Sequence, residues 1–189
     1  MKIFKKLMKP LYETKARKVE QHARKFIAGN VLDIGAGRCL IGREVENHSK
    51  SKVTSVDVID LNETDLKLDL YDGKTLPYKE NSFDTALIAY VLHHCDDPVE
   101  VLKEALRVCK GNIIIFEDID VDITERIADF VANKVFNHKD INMTYNFKSR
   151  KEWLEIFKTL GLEVVNVEEG VEKEWFYPFA KHIMFVVKK

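Results

Sequence analysis

The 189-residue sequence has no CxxC pair, no long apolar run and almost no net charge. Its three cysteines, Cys39, Cys95 and Cys109, are odd in number and scattered. That excludes a disulfide framework and offers no zinc spacing, so no metal is expected. A reducing, cytoplasmic setting is the matching expectation. No apolar stretch approaches the roughly twenty residues of a bilayer-spanning helix, and no signal-like apolar segment follows the basic N-terminus. Thirty Lys and Arg against 31 Asp and Glu give a formal charge of −1. Bulk attraction to RNA or DNA is therefore missing, and no nucleic-acid partner is expected. Repeats, low-complexity tracts and linkers are absent as well. At this length, one domain over residues 1–189 is the simplest organisation.

What is present is an alternation of apolar runs and helical periods. Val31–Ile34, Lys52–Asp57, Leu66–Leu70, Asp84–Tyr90 and Asn112–Phe116 read as strands, the last apolar enough for the centre of a sheet. Leu40–Asn47 reads as a short helix, and Pro98 opens another that Gly111 should end. Residues 122–137 are helical by period. Ser149 to Glu152 form a capping box, so Lys151–Leu160 should be a helix closed by Gly161. Leu162–Val167 and His182–Val187 are final strands with no helix between them, a pattern that favours antiparallel pairing. The expected fold is α/β: a Rossmann-like, doubly wound, mostly parallel sheet with an antiparallel C-terminal strand.

The chemistry begins at VLDIGAGRCLIG, residues 31–42. A strand, a glycine turn and a helix place a ligand at the carboxyl edge of the sheet. A dinucleotide fingerprint needs a third glycine at position 40, where Leu40 stands. Asp33 precedes the turn, and a carboxylate there competes with a pyrophosphate for the helix N-terminus. S-adenosylmethionine (SAM), which carries an ammonium and a sulfonium and no phosphate, meets no such competition. Asp57 ends the next strand, the usual place for an acid that accepts from ribose hydroxyls. Asp69 and Leu70 follow the third strand, where they could bind and cover an adenine.

With those residues in view, the stretch from Val31 to Asp118 resembles the class I SAM-dependent methyltransferases, type 11 group, similar to ubiquinone and menaquinone C-methyltransferases. The shared order is the glycine loop, VTSVDV, LPYKENSFD, VLHH and RVCKG. The resemblance implies that residues 31–118 form the SAM-binding core, with S-adenosylhomocysteine as product. Asp33, Gly35, Ala36 and Gly37 would hold the methionine moiety and Asp57 the ribose. Val58, Asp69 and Leu70 would frame the adenine, and Ala89 and Tyr90 would lie under the methionine end. Cys39 stands where that family has glycine and is expected to narrow the approach to the ligand.

Methyl transfer to an activated sulfonium asks a protein mainly for alignment and exclusion of water. AYVLHH replaces the [ND]-PP-[YF] box of enzymes that methylate exocyclic amines. His94 and Tyr145 are the candidate catalytic side chains, and His93 reads as structural. In MKIFKKLMKPLY, Ile3, Phe4, Leu7, Met8 and Leu11 share a helical face, with lysines elsewhere. Residues 1–29 are accordingly a helical cover: either a plain surface helix or a lid with weak membrane-surface contact. As a lid it would set Tyr12 toward SAM, with Lys15 or Arg17 near the ligand carboxylate. Residues 121–149, with Phe130, Phe136, His138, Tyr145 and Phe147, would set acceptor specificity. The expected acceptor is small or lipid-like. The competing functions are a non-catalytic SAM-fold regulatory module and an NAD-dependent oxidoreductase; Cys39 favours the former, Leu40 and Asp33 disfavour the latter.

Overall fold

In the computed structural model seven strands among the described residues make one sheet: β1 (Asn30–Ile34), β2 (Lys52–Asp57), β3 (Leu68–Leu70), β4 (Phe83–Ala89), β5 (Cys109–Ile119), β6 (Glu163–Glu169) and β7 (Lys181–Lys188). The structure describes residues 2–119, 146–171 and 181–189, with side chains from Lys9 onward. Strand order is β3-β2-β1-β4-β5-β7-β6. Pairing is parallel from β3 through β5, and β7 runs antiparallel to both β5 and β6. This is the expected doubly wound sheet with its antiparallel C-terminal strand. The order reverses between β1 and β4, so a crevice opens beyond their carboxyl ends.

Helices cover both faces, which is why the central strands are apolar throughout rather than alternating. Val31, Leu32 and Ile34 of β1 and Ala86, Leu87 and Ile88 of β4 are all fully buried. One face carries α1 (Lys2–Ala23) and α2 (Leu40–His48), which contribute Val19, Ala23 and Val45 to its core. The other carries α3 (Pro98–Val108) and α4 (Arg150–Thr159), which contribute Leu102, Ala105, Trp153 and Phe157. Trp153 and Phe157 stack with centroids 6.0 Å apart, and truncating either to Ala would cost about 3–5 kcal/mol.

The helix starts follow their capping chemistry. Asp97 accepts from the Val99 and Glu100 N–H groups, and Pro98 sits in the first turn of α3. The Ser149–Glu152 capping box is present, and α4 starts one residue before the expected position. Gly111 is a correction. The α3 helix stops at Val108, and Gly111 lies within β5. A Cβ there would come within 2.2 Å of the Asp84 carbonyl oxygen, so glycine permits close approach of β4 rather than ending a helix. The expected helix over residues 122–137 and Tyr145 lie outside the described residues. Among the described residues no helix is long and apolar enough to cross a membrane.

Candidate active site

The turn after β1 needs its glycines. Gly35 and Gly37 have φ of 70° and 51°, the left-handed region that side chains disfavour. A Cβ on Gly35 would also lie 2.4 Å from the Val91 side chain, whereas one on Gly37 would meet open space. The Gly35 and Ala36 N–H groups donate to the Val56 carbonyl at 2.8 and 3.1 Å, tying the turn to β2.

Cys39 precedes α2 with φ 58°, a conformation that costs an L-residue roughly 1–2 kcal/mol. That backbone angle is the physical reason a glycine suits the position. The side chain is fully buried beside Ser55 and is not on the cleft wall. The substitution is therefore a backbone cost and does not narrow the cleft. Burial pushes its thiol up to about 11.

Asp33 sits under the turn, 2% exposed, and does not line the cleft. Burial, and then the nearby Asp57, raise its carboxyl to about 7, while the Gly42 N–H in the first turn of α2 opposes the shift. Its Oδ2 makes no hydrogen bond among the described residues. Asp57 is on the wall and heavily engaged. Its Oδ2 accepts the Gly37 N–H at 2.7 Å, and its Oδ1 accepts those of Val58 and Ile59 at 2.6 and 3.2 Å. Three of about four acceptor positions are thus filled by backbone, leaving room for a ligand hydroxyl.

These elements open onto a cleft of about 810 Å³, whose wall includes Gly35, Ala36, Gly37, Val58, Ala89 and Tyr90. Helix α1 forms one side with Tyr12, Lys15 and Ala16. The Arg38 guanidinium lies 4.5 Å from the centre of the Tyr12 ring and pairs with Glu63, so the helix is latched to the glycine loop. Lys15 Nζ stands 3.6 Å above the Tyr90 ring. Arg17 is exposed, its Nε donating to the Glu13 carbonyl, and is off the cleft. Among the described side chains of α1, Lys15 and not Arg17 is the cation at the cleft.

Asp69 and Leu70 are also displaced from their expected place. Asp69 pairs with Lys67 at 2.6 Å and accepts from the Tyr78 hydroxyl at 3.0 Å, contacts that hold it below the ordinary carboxylate range, Lys67 foremost. Leu70 is 59% exposed. The wall beside Val58 is instead built by Tyr71 and Asp72, with Asp72 accepting from the Lys74 and Thr75 N–H groups at 2.8 Å.

A short 3-10 turn, Leu92–His94, follows β4. Buried Glu117 anchors it, accepting from the Leu92 and Val91 N–H groups at 2.7 and 3.2 Å and pairing with His93 Nδ1 at 2.6 Å. His93 also stacks on Phe147 at 4.8 Å. His94 does line the cleft. Burial, then the charge of His93, push its imidazole down to about 3, so at neutral pH it is an uncharged hydrogen-bonding group and a weak base.

Two left-handed glycines, open space over the second and an acid bonded to it suit a SAM adenosyl and methionine frame. A family model described as a methyltransferase domain matches residues 32–116. An uncharacterized protein of Methanocaldococcus jannaschii, MJ1123, is 27% identical over 166 residues, 87% of this chain and 78% of its own. The tRNA U34 carboxymethyltransferase of Campylobacter fetus is 26% identical over 60% of this chain, and the ubiquinone/menaquinone biosynthesis C-methyltransferase UbiE of Stenotrophomonas maltophilia is 28% identical over 58%. The chain spans well under half the length of each of those two, 43% and 41%. Among solved structures, a SAM-dependent methyltransferase of Thermotoga maritima, described as a possible histamine N-methyltransferase, superposes with a TM-score of 0.68 at 21% identity, covering 100% of this chain and 96% of that one. Fold, cleft and family match converge: residues 32–116 are similar to a methyltransferase domain, and the sheet has the fold of that SAM-dependent methyltransferase.

Proposed function

We propose that the chain transfers a methyl group from SAM to a small or lipid-like acceptor held in the 810 Å³ cleft beneath α1. The observation that carries this reading is the cleft itself. Its volume falls within the range of small-molecule sites, and Tyr12, Leu40, Ile41, Leu61 and Val91 give it apolar walls around a few polar groups. Gly35, Ala36 and Gly37 would hold the methionine end, Lys15 its carboxylate, and Asp57 the ribose. Val58, Tyr71 and Asp72 would take the adenine. When bound, SAM supplies an electrophilic methyl on a positively charged sulfur.

The protein's own residues then align and shield. Tyr90 and Ala89 form the floor, and Lys15 fixes the Tyr90 ring from above. His94, uncharged, offers a hydrogen bond to the acceptor. Asn146 and Phe147 meet this place: the Asn146 N–H donates to the His93 carbonyl at 2.8 Å and Phe147 stacks on His93. In this reading residues 121–149, Tyr145 included, select the acceptor.

Calorimetry with SAM, S-adenosylhomocysteine and NAD, followed by a radiolabelled methyl screen, tests the reading. Binding of SAM but not NAD, with label in phenols, quinone precursors or lipids, is the expected result. The tRNA-modifying relatives motivate the competing outcome. Label concentrated in tRNA would replace the acceptor class, and binding without any transfer would favour a regulatory module.

A further inference from the structure

Tyr90 has features that a place on the cleft wall does not by itself require. Its backbone φ is 59°, in the left-handed region that bulky side chains rarely adopt. Residues held there gather at functional sites, where the surroundings over-determine them. The Tyr90 N–H donates to the Phe116 carbonyl at 2.8 Å, and two neighbouring rings fix the side chain. Phe116 is tilted against it at 6.3 Å. His182, whose Nδ1 lies 2.5 Å from Oδ1 of its β5–β7 register partner Asp118, meets it edge-on at 5.4 Å. Above the ring stands the Lys15 ammonium, 3.6 Å from the centroid, and both residues line the cleft. An aromatic face inside the cleft thus already carries a cation.

Strand order sets where that face lies. β1 separates β2 from β4, so the carboxyl end of β4 is two strand spacings, about 10 Å, from that of β2. Asp57 closes β2, the glycine turn follows β1, and Tyr90 follows β4. The turn and the end of β4 touch, since a Cβ on Gly35 would lie 2.4 Å from the Val91 side chain. A ligand held by its ribose at Asp57 and crossing the glycine turn is therefore led toward Tyr90.

We propose that the Tyr90 ring is the sulfonium platform of the cleft, and that the Lys15 ammonium occupies it until SAM binds. The proposal rests on the methyl-transfer reading. The positive charge on sulfur spreads onto the carbons attached to it. The ring face takes the two methylenes flanking sulfur and leaves the methyl directed at the acceptor. Both cations are drawn to the same face, and like charges that close disfavour sharing it. The Lys15 ammonium turns to the ligand carboxylate while its stem stays over the ring. Once the methyl has left, the sulfur is an uncharged thioether and the ammonium returns. Tyr90 is in this way a specificity-determining residue that distinguishes the charged donor from the neutral product.

Calorimetry with three ligands separates charge from shape: SAM, sinefungin, whose ammonium stands in place of the sulfonium, and S-adenosylhomocysteine, neutral at that point. Tyr90→Leu should lower the affinity for SAM and sinefungin roughly tenfold relative to S-adenosylhomocysteine, and Tyr90→Phe should keep the parent ratio. Lys15→Met should weaken all three through the carboxylate, yet raise the preference for the two charged ligands about threefold. In the parent protein, the proton resonances of the methylenes flanking sulfur should move upfield on SAM binding, as protons above an aromatic face do. Should Tyr90→Leu fail to fold, Lys15→Met and these resonances decide. An unchanged ratio in Tyr90→Leu, a ratio not raised in Lys15→Met, or unshifted methylene resonances overturns the proposal and leaves the methyl-transfer reading standing. Failure of SAM and S-adenosylhomocysteine alike to bind the parent protein overturns that reading, and this proposal with it.

Discussion

Asp57 Oδ2 accepts the Gly37 N–H at 2.7 Å, which makes the acid at the end of β2 a structural part of the glycine turn. Removing it therefore has two separable effects. Asp57→Ala should weaken SAM binding ten- to a hundredfold through the lost ribose contact, about 1.5–3 kcal/mol for a hydrogen bond to a charged group. It should also lower apo-protein stability by about 1–3 kcal/mol, because three N–H groups lose their acceptor. Asp57→Asn keeps a carbonyl acceptor and should recover part of the stability. Calorimetry and urea denaturation read the two effects independently. An Asp57→Ala protein as stable as the parent would falsify the loop-joining role.

Asp33 and His94 should make stability respond to pH in opposite directions. The Asp33 carboxyl is raised to about 7 in the folded protein, against about 3.9 unfolded. The folded state then holds a proton the unfolded state gives up, so stability falls as pH rises from about 4 to 7. His94, pushed down to about 3, remains neutral where the unfolded chain becomes charged. Stability from that source is full above about 6.5 and is lost as pH falls toward 3. The two slopes oppose one another in the parent protein. Asp33→Asn should be more stable than the parent at pH 8, by up to about 3–4 kcal/mol, with little difference at pH 4. His94→Gln should gain relative stability at pH 5 and none at pH 8. Urea midpoints at these pH values decide, and parallel curves for parent and variants would remove both groups from the explanation.

The Cys39 backbone predicts a substitution that touches stability more than binding. Cys39→Gly relieves a left-handed φ worth roughly 1–2 kcal/mol and gives up a small buried side chain of comparable value. Net stability should change by less than about 1 kcal/mol. SAM affinity should stay within twofold, because the thiol is off the cleft. A tenfold affinity gain would mean that the side chain does obstruct the ligand. Alkylation of the native protein at neutral pH should spare Cys39, its thiol being buried and held up at about 11.

Gly111→Ala is the strand test. The added methyl would lie 2.2 Å from the Asp84 carbonyl oxygen and must push β4 and β5 apart. A loss of about 1–3 kcal/mol is expected, seen as a lower thermal midpoint. A helix C-terminal glycine lacking that contact would show only the modest cost of its backbone angle.

Legibility in the sequence tracked how local the determining physics was. Gly35 and Gly37 announce themselves, because the left-handed turn restricts the residue type in place. The Ser149–Glu152 box is equally local, and its helix started within one residue of expectation. Asp69 was misplaced because β3 is a three-residue edge strand, too short for alternation to set which residue reaches the cleft. Arg17 was misplaced because two helical steps turn it about 200° from Lys15, and only tertiary docking selects the face. Gly111 looked like a helix terminator, while its reason lies 27 positions back at Asp84. His182 sits in HIMFVV, which reads simply as a strand. Its partnership with Asp118 exists only in the β5–β7 register, which no periodicity in either segment encodes. Tyr71 carried no motif, and nothing in the glycine loop singled out Arg38; their place on the cleft depends on how loops meet.

The insertion of β7 between β5 and β6 also governs the order in which the protein can be built. Of the seven strands, β7 leaves the ribosome last, yet β6 has no sheet neighbour without it. Until it arrives, β5 presents the run Ile113–Phe116 along an open hydrogen-bonding edge, an apolar template for pairing with another nascent chain. The parallel pairing among β1 to β5 can form meanwhile, though one core face still waits for Trp153 and Phe157 of α4. Pulse-labelled nascent chains stalled before residue 181 should accordingly be the aggregation-prone species, and those released beyond residue 188 should not.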